Sequence, residues 1–172
     1  MTVLETIKRR FSVRSYTPEP VSDDDLALVL EAARLSQSAK NFQDWRFIVV
    51  RDNELRKKLV TAARNQAFVA EAPVLIVCCG VNIDYVMTCG QHTYNLDVAI
   101  AMENMHLVAC ELGLGTCWLG AFYEDQVKEL CGIPEDGIRV VGLMTLGHPD
   151  VPAPSKKREA LENIVCYEKW EF

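Results

Sequence analysis

The sequence predicts a single domain that mixes helices with short strands, and three observations carry that reading. The chain has 172 residues, one domain's length, enough to bury on the order of 70% of the surface its unfolded form would expose. Short apolar and β-branched runs alternate with segments whose apolar positions recur every three or four residues. Hydrophobic residues make up 49% and charged residues 24%, the proportions of a folded protein rather than a disordered one.

Taken in order, Thr2 to Arg10 reads as a short helix with Val3, Leu4 and Ile7 on one face. Ser22 opens a second helix: a hydroxyl followed three residues later by the Asp25 carboxylate can satisfy the free amides of a first turn. Leu26, Val29, Leu30 and Ala33 follow at helical spacing. Trp45 to Val50 is a strand, Glu54 to Arg64 a helix, and Pro73 to Cys79 a buried strand. Tyr94 to Leu112 is a long helix, apolar on nearly every side, which needs cover all round from its own domain or from another subunit. Thr116 to Leu119 is a short extended segment between Gly115 and Gly120, Tyr123 to Cys131 a helix, and Ile138 to Leu146 a strand. Beyond it Pro149, Pro152 and Pro154 keep the chain extended, and the tail 151–172 ends in Tyr167, Trp170 and Phe172. Large apolar side chains without a helical pattern need a surface, either their own domain's or a partner's. No repeat, low-complexity stretch or linker divides residues 1–172.

Several function classes are excluded early. The net charge is −6 and no Lys/Arg run could track a phosphate backbone, so nucleic acid is not the expected partner. The opening residues lack the pattern of a secretory signal. The most apolar stretch, Leu96 to Leu114, carries Asp97, Glu103, Asn104, His106 and Glu111, whose cost in lipid argues against a membrane span. Seven cysteines, an odd number with no CxxC, favour neither a disulfide framework nor a zinc site and read as buried, reduced thiols of a cytoplasmic protein. There is no GxxxxGK[ST], HExxH or GxSxG, and His92, His106 and His148 lack partners for hydrolytic chemistry. His106, on the apolar helix, reads as a satisfied core residue.

Four places concentrate residues that could bind something. Arg9-Arg10-Phe11-Ser12-Val13-Arg14 puts three guanidiniums and a hydroxyl at a helix exit, suited to phosphate but also to a plain basic surface. Ser36 to Trp45 is a polar loop rich in amide and hydroxyl donors. Gly113-Leu-Gly115-Thr-Cys-Trp118-Leu119-Gly120 invites comparison with GxGxxG. Trp118 stands in the third glycine's place, however, and the glycines follow a helix and enter a strand, the reverse of the dinucleotide order. Small residues there let the backbone approach a flat ligand. Ser155-Lys156-Lys157-Arg158 is a basic cluster in the tail.

In this order, the four places resemble the nitroreductase family of flavoproteins. Arg9 to Arg14 is similar to the family's R-R-S-x-R element with one residue inserted. Ser38 to Trp45, built around Asn41-Phe-Gln-Asp-Trp45, is similar to S-x-x-N-x-Q-P-W. Gln66 to Pro73, Asp97 to Asn104, Gly113 to Gly120 and Lys156-Lys-Arg158 correspond to the segment before the central strand, the dimer helix, the glycine turn and the closing basic element. Gln37 and Asp44 replace two prolines common in the second loop, which bears on its shape and on the substrate pocket.

The resemblance implies an α+β domain with a central, mostly antiparallel sheet flanked by helices, a long dimer-interface helix, and a C-terminal tail extending over the partner subunit. It implies FMN at the interface of a homodimer, NADH or NADPH as donor, and a small acceptor such as a nitroaromatic, a quinone or a flavin. No side-chain acid or nucleophile is then required. By the same resemblance Arg10, Lys156 and Arg158 hold the FMN phosphate, while Ser12, Asn41 and Gln66 hold ribityl or ring polar atoms. Arg14 faces the N1–C2=O edge, and backbone amides around Leu119 and Gly120 donate to N5 and O4. Phe11 and Ser38 belong to the same contact set, and Trp118 packs rather than reacts. The alternatives are a flavin-binding protein with little turnover, for storage or redox sensing, and a thiol-redox or metal-handling protein using the cysteines.

Overall fold

A computed structural model, describing residues 1–172, places four strands in one sheet of order β1-β2-β4-β3, every neighbouring pair antiparallel. The strands are β1 (Trp45–Val50), β2 (Val74–Gly80), β3 (Gly115–Leu119) and β4 (Arg139–Gly147). The helices are α1 (Val3–Arg9), α2 (Asp23–Arg34), α3 (Asn53–Ala62), α4 (Phe68–Glu71), α5 (Thr93–Glu111) and α6 (Glu124–Cys131). The expected α+β architecture is present.

β2 explains the layering. All of its residues are buried, so alternation gives two covered faces rather than one wet and one dry. Val74, Ile76 and Cys78 join Val29, Val98, Met102 and Met105 beneath α2 and α5. Leu75, Val77 and Cys79 join Leu59, Val69 and Val127 beneath α3, α4 and α6. The reading of Pro73 to Cys79 as a buried strand rested on that unbroken apolar run. Helix starts follow the caps: the Ser22 hydroxyl accepts from the Asp25 amide at 3.0 Å, as expected, and Asp52 does the same for Leu55 at 2.7 Å. α6 ends at Gly132 with φ 66, a left-handed closure that glycine adopts without strain.

Three short elements were not foreseen, α4 and the 3-10 turns Ala39–Asn41 and Leu161–Asn163. Each is too brief for periodicity to register.

The chain leaves much apolar surface uncovered. On α5, exposed Leu96 and half-buried Ala99, Ile100 and Leu107 fall on one stripe, interrupted by Glu103, while the opposite side is core. On α1 the apolar face expected from the sequence points outward, with Val3 70% exposed, and the one buried residue of that helix is Thr6. Beyond the 3-10 turn Leu161–Asn163 the tail remains irregular, with Tyr167 77% and Trp170 84% exposed. Contiguous apolar surface of this kind is what an intersubunit contact covers. No helix is long and apolar enough to cross a membrane.

Candidate functional site

α1 ends at Arg9, and the chain then runs extended beside β3. The Val13 amide donates to the Thr116 carbonyl at 2.9 Å, and Ser12 and Thr116 form a parallel bridge. Gly115 makes this approach feasible, because a Cβ there would collide with Val13 and Pro149. Further along, the Tyr16 hydroxyl donates to the Val13 carbonyl at 2.9 Å and meets the Thr145 hydroxyl at 2.6 Å. The segment is therefore fixed at both ends. Extended geometry sends Val13 into the core and leaves Ser12 and Arg14 exposed on the other side.

The tail returns to the same place. The Lys156 ammonium donates to the Lys8 carbonyl at 2.7 Å and to the Arg10 carbonyl, the free acceptors at the end of α1. Arg10, Lys156 and Arg158 thereby line one open cleft together with Lys8. Only Glu103, 3.4 Å from the Arg10 Nε, offsets this charge. Desolvation first, then the charges of Arg10 and Arg158, hold the Lys156 ammonium below its ordinary range. A cluster of cations that disfavours its own charge is a cluster that gains from an anion. Three donors on flexible stems around an open cleft fit a phosphate monoester.

Phe11 lines the adjoining cavity, where His106 is buried behind it. The His106 Nε2 meets the Phe11 carbonyl at 3.3 Å, and Nδ1 lies 3.7 Å from Glu103. Burial first, then Arg10, bring its pKa down to about 4, so at neutral pH the ring is uncharged and its contact with Glu103 is not an ion pair. His106 is a satisfied core residue, as its surroundings in the sequence indicated.

A second group gathers at the end of β3. Leu119 is buried, Gly120 is exposed, and a Cβ at Gly120 would meet nothing within 4 Å, so the backbone there is an open ledge. The Gln66 amide donates to the carbonyls of Ala63 at 2.8 Å and Ala121 at 3.1 Å, which fixes Gln66 beside that ledge. The Trp118 indole lies against Gly142, where a Cβ would collide with it, and is otherwise 43% exposed.

The polar loop forms a third group. Lys40, Asn41 and Gln43 adopt φ values of 48, 56 and 52, left-handed backbone uncommon outside glycine and frequent at ligand sites. The Ser38 hydroxyl accepts from the Gln43 amide at 3.0 Å and so closes the loop, while Asn41 is exposed. Neither lines the cleft of Arg10, Lys156 and Arg158. The structure thus brings the predicted residues together in three groups rather than one. Lys8 was missed at this cleft, although the Lys8-Arg9-Arg10 run was there to suggest it. Asp97 and the buried position of Asp44 were missed at the loop; the only sequence signal was an acid where the related motif has proline.

Comparison with known proteins gives a consistent class. The model of the nitroreductase family matches residues 7–73 and 60–148. An Archaeoglobus fulgidus protein, carried under the provisional name NADH dehydrogenase/NAD(P)H nitroreductase, is 37% identical over 153 residues, spanning 85% of this chain and 84% of its own. The Vibrio harveyi NADPH-flavin oxidoreductase is 32% identical over 183 residues, spanning 96% of this chain and 72% of its own. A solved nitroreductase family structure from Clostridium difficile superimposes with a TM-score of 0.88 at 31% identity, covering 99% of this chain and all of that one. The chain belongs to the nitroreductase family.

Proposed function

We propose that this protein is an FMN-dependent oxidoreductase that uses NADH or NADPH to reduce small electrophilic acceptors, working as a homodimer with flavin sites at the subunit interface. The observation that carries the reading is the meeting of Arg10, Lys156 and Arg158, from opposite ends of the chain, at one cleft beside the fixed segment Ser12–Arg14. A single phosphate fits there. A pyrophosphate-binding helix start is not part of the arrangement, which favours FMN over FAD. When bound, FMN supplies two-electron transfer between nicotinamide and acceptor.

The chain's own residues bind and orient. Arg10, Lys156 and Arg158 neutralise the phosphate, with Phe11 behind them. Ser12 pairs with Thr116 at the start of β3 and Gln66 bonds the Ala121 carbonyl just beyond its end, and the open backbone of Leu119 and Gly120 near Gln66 receives the ring. Arg14 places a guanidinium where negative charge is favoured. Ser38 and Asn41, remote from the phosphate cleft, are in place to complete a site shared with a second chain. The uncovered stripe of α5, the outer face of α1 and the exposed tail support that second chain as another copy of this one. Seven unpaired cysteines support a reducing, cytoplasmic compartment. Related names point the same way: the Vibrio harveyi relative is an NADPH-flavin oxidoreductase, and a Bacillus subtilis relative is an FMN reductase.

The test is anaerobic stopped-flow mixing of the purified protein with NADH or NADPH, followed by reoxidation with nitroaromatic, quinone and free-flavin acceptors. Bleaching of the flavin band by at least one nicotinamide, and its return with at least one acceptor, is expected. A protein that holds flavin but is bleached by neither nicotinamide is a flavin carrier, and the enzyme reading falls.

A further inference from the structure

Two carboxyl groups from different elements are buried and face each other at the loop 38–44. Asp44, the last residue before β1, is 2% exposed, and Asp97, one turn into α5, is 3% exposed. Both Asp97 oxygens accept from the Ala39 amide at 3.1 Å, so Asp97 has a use for its charge. Neither Asp44 oxygen has a well-formed hydrogen bond, and the one side-chain donor that faces it is the Thr93 hydroxyl, at the first residue of α5, which has no other partner. The Asp44 backbone is anchored separately, its carbonyl accepting from the Val81 amide at 2.7 Å.

No cation relieves the pair. The charged or polar side chains facing Asp44 are Asp97 and Thr93 of α5, and no Lys, Arg or His acts on it. The nearest guanidinium in sequence, Arg46, donates to the carbonyls of Gln43 and Trp45 instead. Burial first, then the Asp97 charge, push the Asp44 carboxyl above the usual carboxylate range. Two adjacent carboxylates in a dry site cannot both ionise cheaply, and an acid with a single hydroxyl facing it beside an acceptor is best satisfied by one proton of its own.

We propose that Asp44 holds a proton, donates it to Asp97, and with Asp97 acts as a clamp that holds the loop 38–44 against α5. Asp44 is the member that carries the proton, because Asp97 already accepts from Ala39. Protonated Asp44 donates to Asp97, Asp97 holds the Ala39 amide, and the left-handed turn at Lys40–Asn41 follows directly. That the held loop faces FMN rests on the function proposed above; the pair itself does not. Asp44 and Asp97 are positioning residues.

The sign follows from linkage. An acid whose pKa is raised by folding stabilises the native state below the unfolded value, about 3.9, and that contribution is lost as pH rises through the folded value. Asp44→Asn keeps a neutral donor toward Asp97 and cannot ionise. Within that window, the folded-to-unfolded ratio of the wild type relative to Asp44→Asn should fall about tenfold per pH unit. Asp97→Asn removes the neighbouring charge and should narrow the window. The measurements are urea unfolding across pH for the three proteins, and an infrared difference spectrum of wild type against Asp44→Asn. A protonated-carboxyl C=O band in the wild type that the variant lacks, with the predicted pH slope, is the expected result. The difference in FMN affinity between wild type and Asp44→Asn should follow the same pH profile, since the FMN phosphate's own ionisation at about pH 6 is common to both. Parallel pH curves or absence of the acid band would overturn the clamp, and an FMN affinity difference that stays constant while the stability difference changes would overturn the held loop's part in flavin binding. The unfolding and infrared arms need no flavin, so a colourless protein would defeat the proposed function and leave the pair to be judged by them.

Discussion

Deletion of residues 151–172 is expected to yield a folded but colourless monomer. The tail contributes no residue to either buried core cluster, so far-UV circular dichroism should report a domain that remains folded. It carries Lys156 and Arg158, two of the cations at the phosphate cleft. Charge-assisted contacts are worth roughly 1.5–3 kcal/mol each, so losing both should weaken FMN by more than about a hundredfold. It also carries Leu161, Ile164, Tyr167, Trp170 and Phe172, all exposed in the single chain and all in need of a partner's surface. Light scattering after size exclusion reads the mass, and visible absorbance reads the flavin. A truncated protein that stays yellow and monomeric would refute a site shared between chains.

Arg10→Ala and Arg14→Ala should differ in kind, although the two residues are four apart. Arg10 lines the phosphate cleft, and phosphate charge is the same in both redox states. Its loss should weaken oxidised and reduced FMN about equally, by roughly ten- to a hundredfold. Arg14 stands on the exposed side of the segment paired to β3, assigned to the ring edge where negative charge grows on reduction. Its loss should lower the reduction potential by tens of millivolts, since about 30 mV corresponds to 1.4 kcal/mol for a two-electron couple. Dye equilibration measures the potential, and fluorescence titration measures the affinity. A potential that moves with Arg10→Ala and not with Arg14→Ala would exchange the two assignments; no change in either quantity would leave the segment a basic surface.

The strands were legible because each is a dense apolar run bounded by turn residues. Trp45 to Val50 was placed to the residue, and Pro73 to Cys79 within one. α5 was legible by its length, and its all-round apolarity announced a cover that the single chain does not provide. That Arg10, Lys156 and Arg158 belong together was legible only through the resemblance. Arg10 and Lys156 are 146 positions apart, and nothing local says that Lys156 reaches the end of α1. Charge patterns resolve such distant meetings poorly, because a solvated lysine and a site lysine look alike in one dimension. The Asp44–Asp97 pair was illegible for the same reason and one more: a polar loop gives no warning that one of its acids is buried.

The central claim is that the cleft of Arg10, Lys156 and Arg158 holds the phosphate of one FMN in each chain. Heat release of the flavin from the purified protein, followed by chromatography against standards and a protein assay, measures identity and stoichiometry together. About one FMN per chain is predicted. Recovery of FAD, or of no flavin from protein purified and reconstituted with FMN, would contradict it.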